Sequence, residues 1–312
     1  MSTGSSAWTR AALAMLCGIF AATQIGKLPP AIPALREAFG ASLVQMGWVA
    51  SIFNLVAACG GLATGIVADR FGRRTLLKAG LALLGFGALT GLTGDGLPML
   101  FVSRIVEGLG FVCIVVAAPV LVRESVAPDT QRLALGIWSD YTATGMTLML
   151  VIAPWSVPAL GWQGGWWLGV AGSVVLMVVI WQHFPGAGTR VKGGVHNARL
   201  LHGLNEPTPW CFAASFGLYT FQWMSFMVWM PTYLLEQGIS LEQVSSAVAL
   251  MIIVNVPGNI AGGWLLQRGV PIATLVLVSS VTLSAAGFAV FALMPPVATL
   301  IGLGILFSFF GG

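Results

Sequence analysis

The chain has 312 residues, of which 57% are apolar and only 8% charged, with a net charge of +4 and a mean hydropathy of +0.90. An average soluble domain carries about 25% charged residues, so this chain lacks the polar surface to cover itself in water. Composition therefore excludes a soluble enzyme and leaves a polytopic membrane protein; so small a net charge, dispersed between apolar runs, is no sign of nucleic-acid binding.

A helix that crosses a bilayer needs about 20 apolar residues. Apolar runs of that kind fall near 10–33, 43–67, 76–95, 98–122, 132–155, 164–184, 209–234, 243–266 and 271–294, and a tenth begins near Val297. These are spans 1 to 10. The first follows Arg10 and shows no small-residue cleavage site, so it is expected to be retained. One longer polar segment, His183 to Pro209, separates spans 6 and 7 and holds all three histidines. The expected organisation is a first half at 1–185, a cytoplasmic linker at 186–208 and a second half at 209–312. The four cysteines lie in apolar runs without metal-ligand spacing and read as packing residues. No cofactor or metal is expected.

Lysine and arginine in the loops set the orientation. With a cytoplasmic N-terminus and alternating spans, 11 of these residues lie inside and only Arg36 lies outside. Lys27 and Arg104 remain within spans.

The sequence also repeats itself at an offset of 198 without a gap. Gln24 meets Gln222 and Pro33 meets Pro231. Gly40, Ser42, Leu43 and Gln45 meet Gly238, Ser240, Leu241 and Gln243, and Arg70 meets Arg268. Spans 1–2 therefore correspond to spans 7–8. Two parallel halves related by an axis along the membrane normal are one of the known transporter plans, with the solute site between them.

The loop after span 2 reads GIVADRFGRR, Gly65 to Arg74. Gly65 is expected to let helix backbones approach, Gly72 to permit a tight turn, and Asp69 to meet arginines and helix ends. Arg73 and Arg74 fix the topology and face anionic lipid, and Arg70 belongs to the same loop. This loop resembles the signature loop of the major facilitator superfamily. Its second-half echo is GWLLQRG, Gly263 to Gly269, with Gln267 in place of the acid, and span 4 carries the similar SRIVEGLG, Ser103 to Gly110. The resemblance covers essentially the whole chain. It implies two six-helix halves, of which about nine and a half helices are present, and a cytoplasmic latch formed by the loop. It also implies that the chain, ending within the tenth span, is a truncated form of a twelve-helix protein and transports poorly alone. The text of spans 4 and 5 loosely resembles the cyanate/nitroimidazole-type branch.

Charges inside spans are costly and mark function. Lys27 lies roughly 24 Å along span 1. It either snorkels to the outer interface or faces a cavity as an anion-attracting charge. Thr23 and Gln24 share its helical face, and Pro29 and Pro30 bend the helix beside it, which favours the cavity. Arg104 and Glu107 are three residues apart on one face of span 4: a self-neutralised structural pair, or, as the resemblance implies, a coupling arginine beside a protonatable acid. Asp140, about 12 Å into span 5, is a second candidate proton carrier or a structural partner of the span 4 arginine. The second half carries no charge within its spans; Gln222 and Asn255 are its candidate contacts with solute.

The functional expectation is a secondary transporter that moves a small anionic solute by alternating access, coupled to protons, acting as a monomer in membrane lipid of a bacterial inner membrane. The alternative is a drug efflux antiporter, against which span 5 lacks the Gly-Pro dipeptide of that group. No hydrolase, metalloprotease or phosphate-loop motif is present.

Overall fold

The computed structural model describes residues 2–186 and 206–312, and these are helical almost throughout. The helices are α1 (Ser2–Gly26), α2 (Leu28–Phe39), α3 (Leu43–Phe71), α4 (Arg73–Thr93), α5 (Gly96–Ser125), α6 (Gln131–Ser139), α7 (Tyr141–Leu160), α8 (Gln163–His183), α9 (Pro207–Glu236), α10 (Leu241–Ile253), α11 (Asn255–Gln267), α12 (Ile272–Leu293) and α13 (Val297–Gly311). Of the expected linker at 186–208, residues 187–205 lie outside the described residues, along with two of the three histidines. The third, His183, closes α8.

Eight helical stretches among the described residues are long and apolar enough to cross a membrane, counting α1–α2 and α10–α11 as one stretch each. The chain is thus an integral, multi-pass membrane protein. α9 has 30 residues, but Thr220, Gln222 and Ser225 dilute its apolar run; α13 has 15.

Three spans are broken, and two breaks have a plain cause. Pro29 and Pro30 have no N–H, so the carbonyls of Ile25 and Gly26 lose their helical donors and α1 gives way to α2 at Lys27. Pro257 does the same to the carbonyl of Ile253, where α10 gives way to α11. The third break falls at Asp140, between α6 and α7, with no proline to explain it.

The 198-residue repeat is visible in the backbone. Gly40 and Gly238 both turn the chain with positive φ, +59° and +80°. Ser42 and Ser240 both cap the next helix, accepting from the backbone N–H of Gln45 at 3.2 Å and of Gln243 at 3.3 Å. The equivalence extends further: Gly96 (φ +78°) and Pro98 correspond to Met294 (φ +43°) and Pro296.

The described residues cluster into two compact units. The first holds α1–α8 with Pro231–Ile253; the second holds α9 up to Met230 and everything from Val254. In the first, α4 packs on α5 and α8, α3 on α5, α1 on α5 and α7, and α10 on α7. Glycines allow the closest of these approaches: a Cβ on Gly80 would stand 2.8 Å from the Gly110 carbonyl of α5.

Candidate functional site

The membrane charges of the first unit converge. Lys27 Nζ lies 2.5 Å from Glu107 Oε1 and 2.8 Å from Gln24 Oε1. Arg104 Nη1 donates to Glu107 Oε2 at 2.6 Å and to the Gln24 backbone carbonyl at 2.8 Å. Gln24 Nε2 donates in turn to Thr23 Oγ1 at 2.9 Å. Lys27, Arg104 and Glu107 are 2%, 1% and 0% exposed, so Lys27 reaches no interface and does not snorkel. Two cations share one carboxylate, so among the described residues one positive charge of this buried cluster has no carboxylate of its own. Arg104 Nε, also buried, has no hydrogen-bond partner among the described residues.

Aromatic rings hold the two cations. Lys27 Nζ stands 4.3 Å from the centre of the Trp166 ring, and Trp166 Nε1 donates to Ser103 Oγ at 3.3 Å. The Arg104 guanidinium lies 4.4 Å from the Phe53 ring centre. From Phe53 a ladder of rings leads away: to Phe111 at 5.2 Å, then Tyr141 at 6.5 Å, then Trp138, stacked at 4.6 Å.

Three glycines give the cluster its room. A Cβ on Gly87 would stand 2.7 Å from Glu107 Cγ, one on Gly165 would stand 2.9 Å from Lys27 Cβ, and one on Gly169 would stand 2.8 Å from Gln24 Oε1. Sequence reasoning passed over these residues, together with Trp166 and Phe53. The four-residue spacing of Gly165 and Gly169 in α8 was the available sign of a helix face kept clear.

The other expected site residues lie elsewhere. Asp140 is half-buried at the α6–α7 break. In the second unit Gln222 is half-buried near Gly287, and Asn255 donates to the Ser308 carbonyl at 3.1 Å. In the loop after α3, Gly72 takes a φ of +90° and serves as the boundary of α3 and α4. Arg73 faces Asp69 at 3.7 Å and Glu124 at 3.2 Å; Arg74 donates to the Pro185 carbonyl at 2.9 Å. Arg70 lies over its neighbour Phe71. Gly65 does not play the part expected of it among the described residues, since nothing stands within 4 Å of where its Cβ would be. At the other end of the first unit, Arg36 faces Glu236 at 3.7 Å, both part-exposed.

The sequence profile of the Major Facilitator Superfamily matches residues 14–312. Over 299 residues the chain is 24% identical to NiaP of Bacillus subtilis (strain 168), named as a niacin/nicotinamide transporter, covering 94% of this chain and 74% of that protein. Over 252 residues it is 24% identical to the 3-(3-hydroxy-phenyl)propionate transporter of Escherichia coli (strain K12), covering 79% of this chain and 62% of that one. The chain thus spans 62% to 74% of the length of these relatives. Its fold is similar to the crystal structure of a D-xylose-proton symporter, with a TM-score of 0.75 at 14% identity, over 97% of this chain and 79% of that one.

Proposed function

The chain belongs to the major facilitator superfamily, a family of solute transporters and not of enzymes, and from that premise we propose that it serves proton-coupled, alternating-access transport of a small aromatic carboxylate. The observation that carries this reading is the buried cluster with one surplus positive charge, set beside a ladder of aromatic rings. A carboxylate supplies the negative charge the cluster lacks, and a flat ring suits the Phe53–Phe111–Tyr141 ladder by offset stacking. Niacin and hydroxyphenylpropionate, for which the two relatives are named, are both small rings bearing a carboxylate.

In this reading Arg104 and Lys27 attract the anion, Glu107 holds both cations in place, and Asp140 belongs to the proton path. Gln222 and Asn255 contact the uncharged part of the solute from the second half. The functional halves are 1–185 and 209–312, following the repeat. The loop from Gly65 to Arg74 latches the cytoplasmic side, where the N-terminus also lies, in a bacterial inner membrane. The protein works as a monomer surrounded by lipid.

The test is uptake by proteoliposomes holding the purified protein, with radiolabelled benzoate, cyanate and a cationic dye as probes. Benzoate accumulation is expected, and Arg104→Ala and Lys27→Ala are each expected to lower it by about two orders of magnitude. Cyanate is an anion without a ring; preference for it would support the looser branch resemblance instead. Dye movement that survives both substitutions would support an efflux antiporter.

A further inference from the structure

The cluster contains three ionisable side chains and cannot be neutral with all of them in their ordinary states. Lys27 and Arg104 are cations, Glu107 is the one carboxylate between them, and all three are at most 2% exposed. Among the described residues, the carboxylate paired with Lys27 is Glu107, and Arg104 shares it. Of the elements packed against α1, α5 supplies both. α8 presents Gly165 and Trp166, which do not ionise, and α7 presents Met146 and Met149 beside Gly26. The remaining ionisable groups on these and the neighbouring elements are Arg10 and Cys17 of α1, Arg36 and Glu37 of α2, Cys59, Asp69 and Arg70 of α3, Arg73, Arg74 and Lys78 of α4, Cys113, Arg123 and Glu124 of α5, Arg132 of α6, Asp140 at its end, Tyr141 of α7 and His183 of α8. None of them is hydrogen-bonded to Lys27 or Arg104.

Protonating Glu107 would leave two cations together and make the imbalance worse. Arginine does not give up its proton in proteins. Lysine does so readily when buried, and a neutral amine still has N–H groups to donate to Glu107 and Gln24. The surplus charge can therefore be removed in two ways: Lys27 releases a proton, or an anion joins the cluster. The anion's place is marked by Arg104 Nε, a buried donor with no hydrogen-bond partner among the described residues.

We propose that Lys27, and not Glu107, carries the coupled proton within the cluster, and that it does so because its proton and the solute carboxylate neutralise each other there. Without solute the cluster is neutral Lys27, Glu107 carboxylate and Arg104 cation. With solute it is Lys27 ammonium, Glu107 carboxylate, Arg104 cation and the carboxylate at Arg104 Nε. Both states have no net charge. The difference between them is one proton and one anion, so the pair crosses together and the cycle moves no net charge. The inference rests on the transport reading above for the identity of the anion.

The chain has only three lysines, Lys27, Lys78 and Lys192, so lysine-labelled protein gives three resolvable side-chain signals. Lys78→Arg and Lys192→Arg assign them. In nanodiscs the Lys27 nitrogen and ε-carbon shifts are expected to report a neutral amine at the alkaline end of the neutral range, and added benzoate is expected to restore the ammonium. Calorimetry in buffers of different ionisation enthalpy is expected to give uptake of about one proton per benzoate, as linkage requires. Lys27→Arg, which cannot release its proton, is expected to show no proton uptake whatever amount of benzoate it binds. A Lys27 signal that stays ammonium throughout, or benzoate binding without proton uptake by the unaltered protein, overturns the proposal. If Lys27 sheds its proton but benzoate does not bind, the choice of solute fails and the proton site stands. Should Lys27→Arg not fold, the labelled unaltered protein still decides.

Discussion

Positions 198 residues apart share their backbone and differ in what they bury. Gly40 and Gly238 turn the chain alike, Ser42 and Ser240 cap alike, and Gly96 and Met294 both take a positive φ before Pro98 and Pro296. Yet Lys27, Arg104 and Glu107 correspond to Ser225, Gly302 and Ile305. The frame is duplicated and the charge is not. Turns, caps and proline breaks are set by a few residues acting locally, so they persist under any side-chain chemistry that keeps those residues. A buried ion cluster needs several helices to supply partners at once, and among the described residues the first half does so.

The largest effect expected from breaking this asymmetry is at Glu107. Glu107→Ala leaves the buried Arg104 cation and the Lys27 amine without their shared carboxylate and should cost roughly 3–5 kcal/mol, measured by chemical unfolding in detergent. Ile305→Ala, at the equivalent neutral position, creates no such charge imbalance and should cost clearly less. The next effect is steric. Gly87→Val places atoms where Glu107 Cγ and its backbone already stand and should cost roughly 1–3 kcal/mol. Gly217 in α9 has nothing within 4 Å of its Cβ position, so Gly217→Ala should instead stabilise by roughly 0.5–1 kcal/mol.

Smaller effects sharpen the part of the comparison where the halves agree. Ser42→Ala and Ser240→Ala should each cost about 1 kcal/mol, and similarly, because they remove the same cap. Smallest of all, Met294→Gly should stabilise by about half a kcal/mol, since the left-handed backbone is strained for methionine and free for glycine. A loss of stability there would mean that the two turns before Pro98 and Pro296 are not equivalent.

The spans, their order and the repeat were legible in the sequence because each depends on contiguous or regularly spaced residues. Hydropathy shows a span, and a gapless offset shows a duplication. The break at Lys27 followed from Pro29 and Pro30. The break at Asp140 did not follow, as no proline marks it. In the loop from Gly65 to Arg74, Gly72 makes the turn expected of it, but the packing role expected of Gly65 has no neighbour to support it among the described residues.

For the site, the sequence placed Lys27, Arg104 and Glu107 as costly charges within spans and paired the last two, because they are three residues apart on one helix. It could not pair Lys27 with Glu107, 80 residues away, nor show that Trp166 and Gly165 close over the lysine. Which charged residues lie in the membrane is a property of local hydropathy, and the sequence alone determines it. Which of them neutralise one another depends on how helices pack, and only the tertiary structure decides that. It is this second fact that turns Lys27 from an isolated cation into a member of a cluster with one positive charge too many.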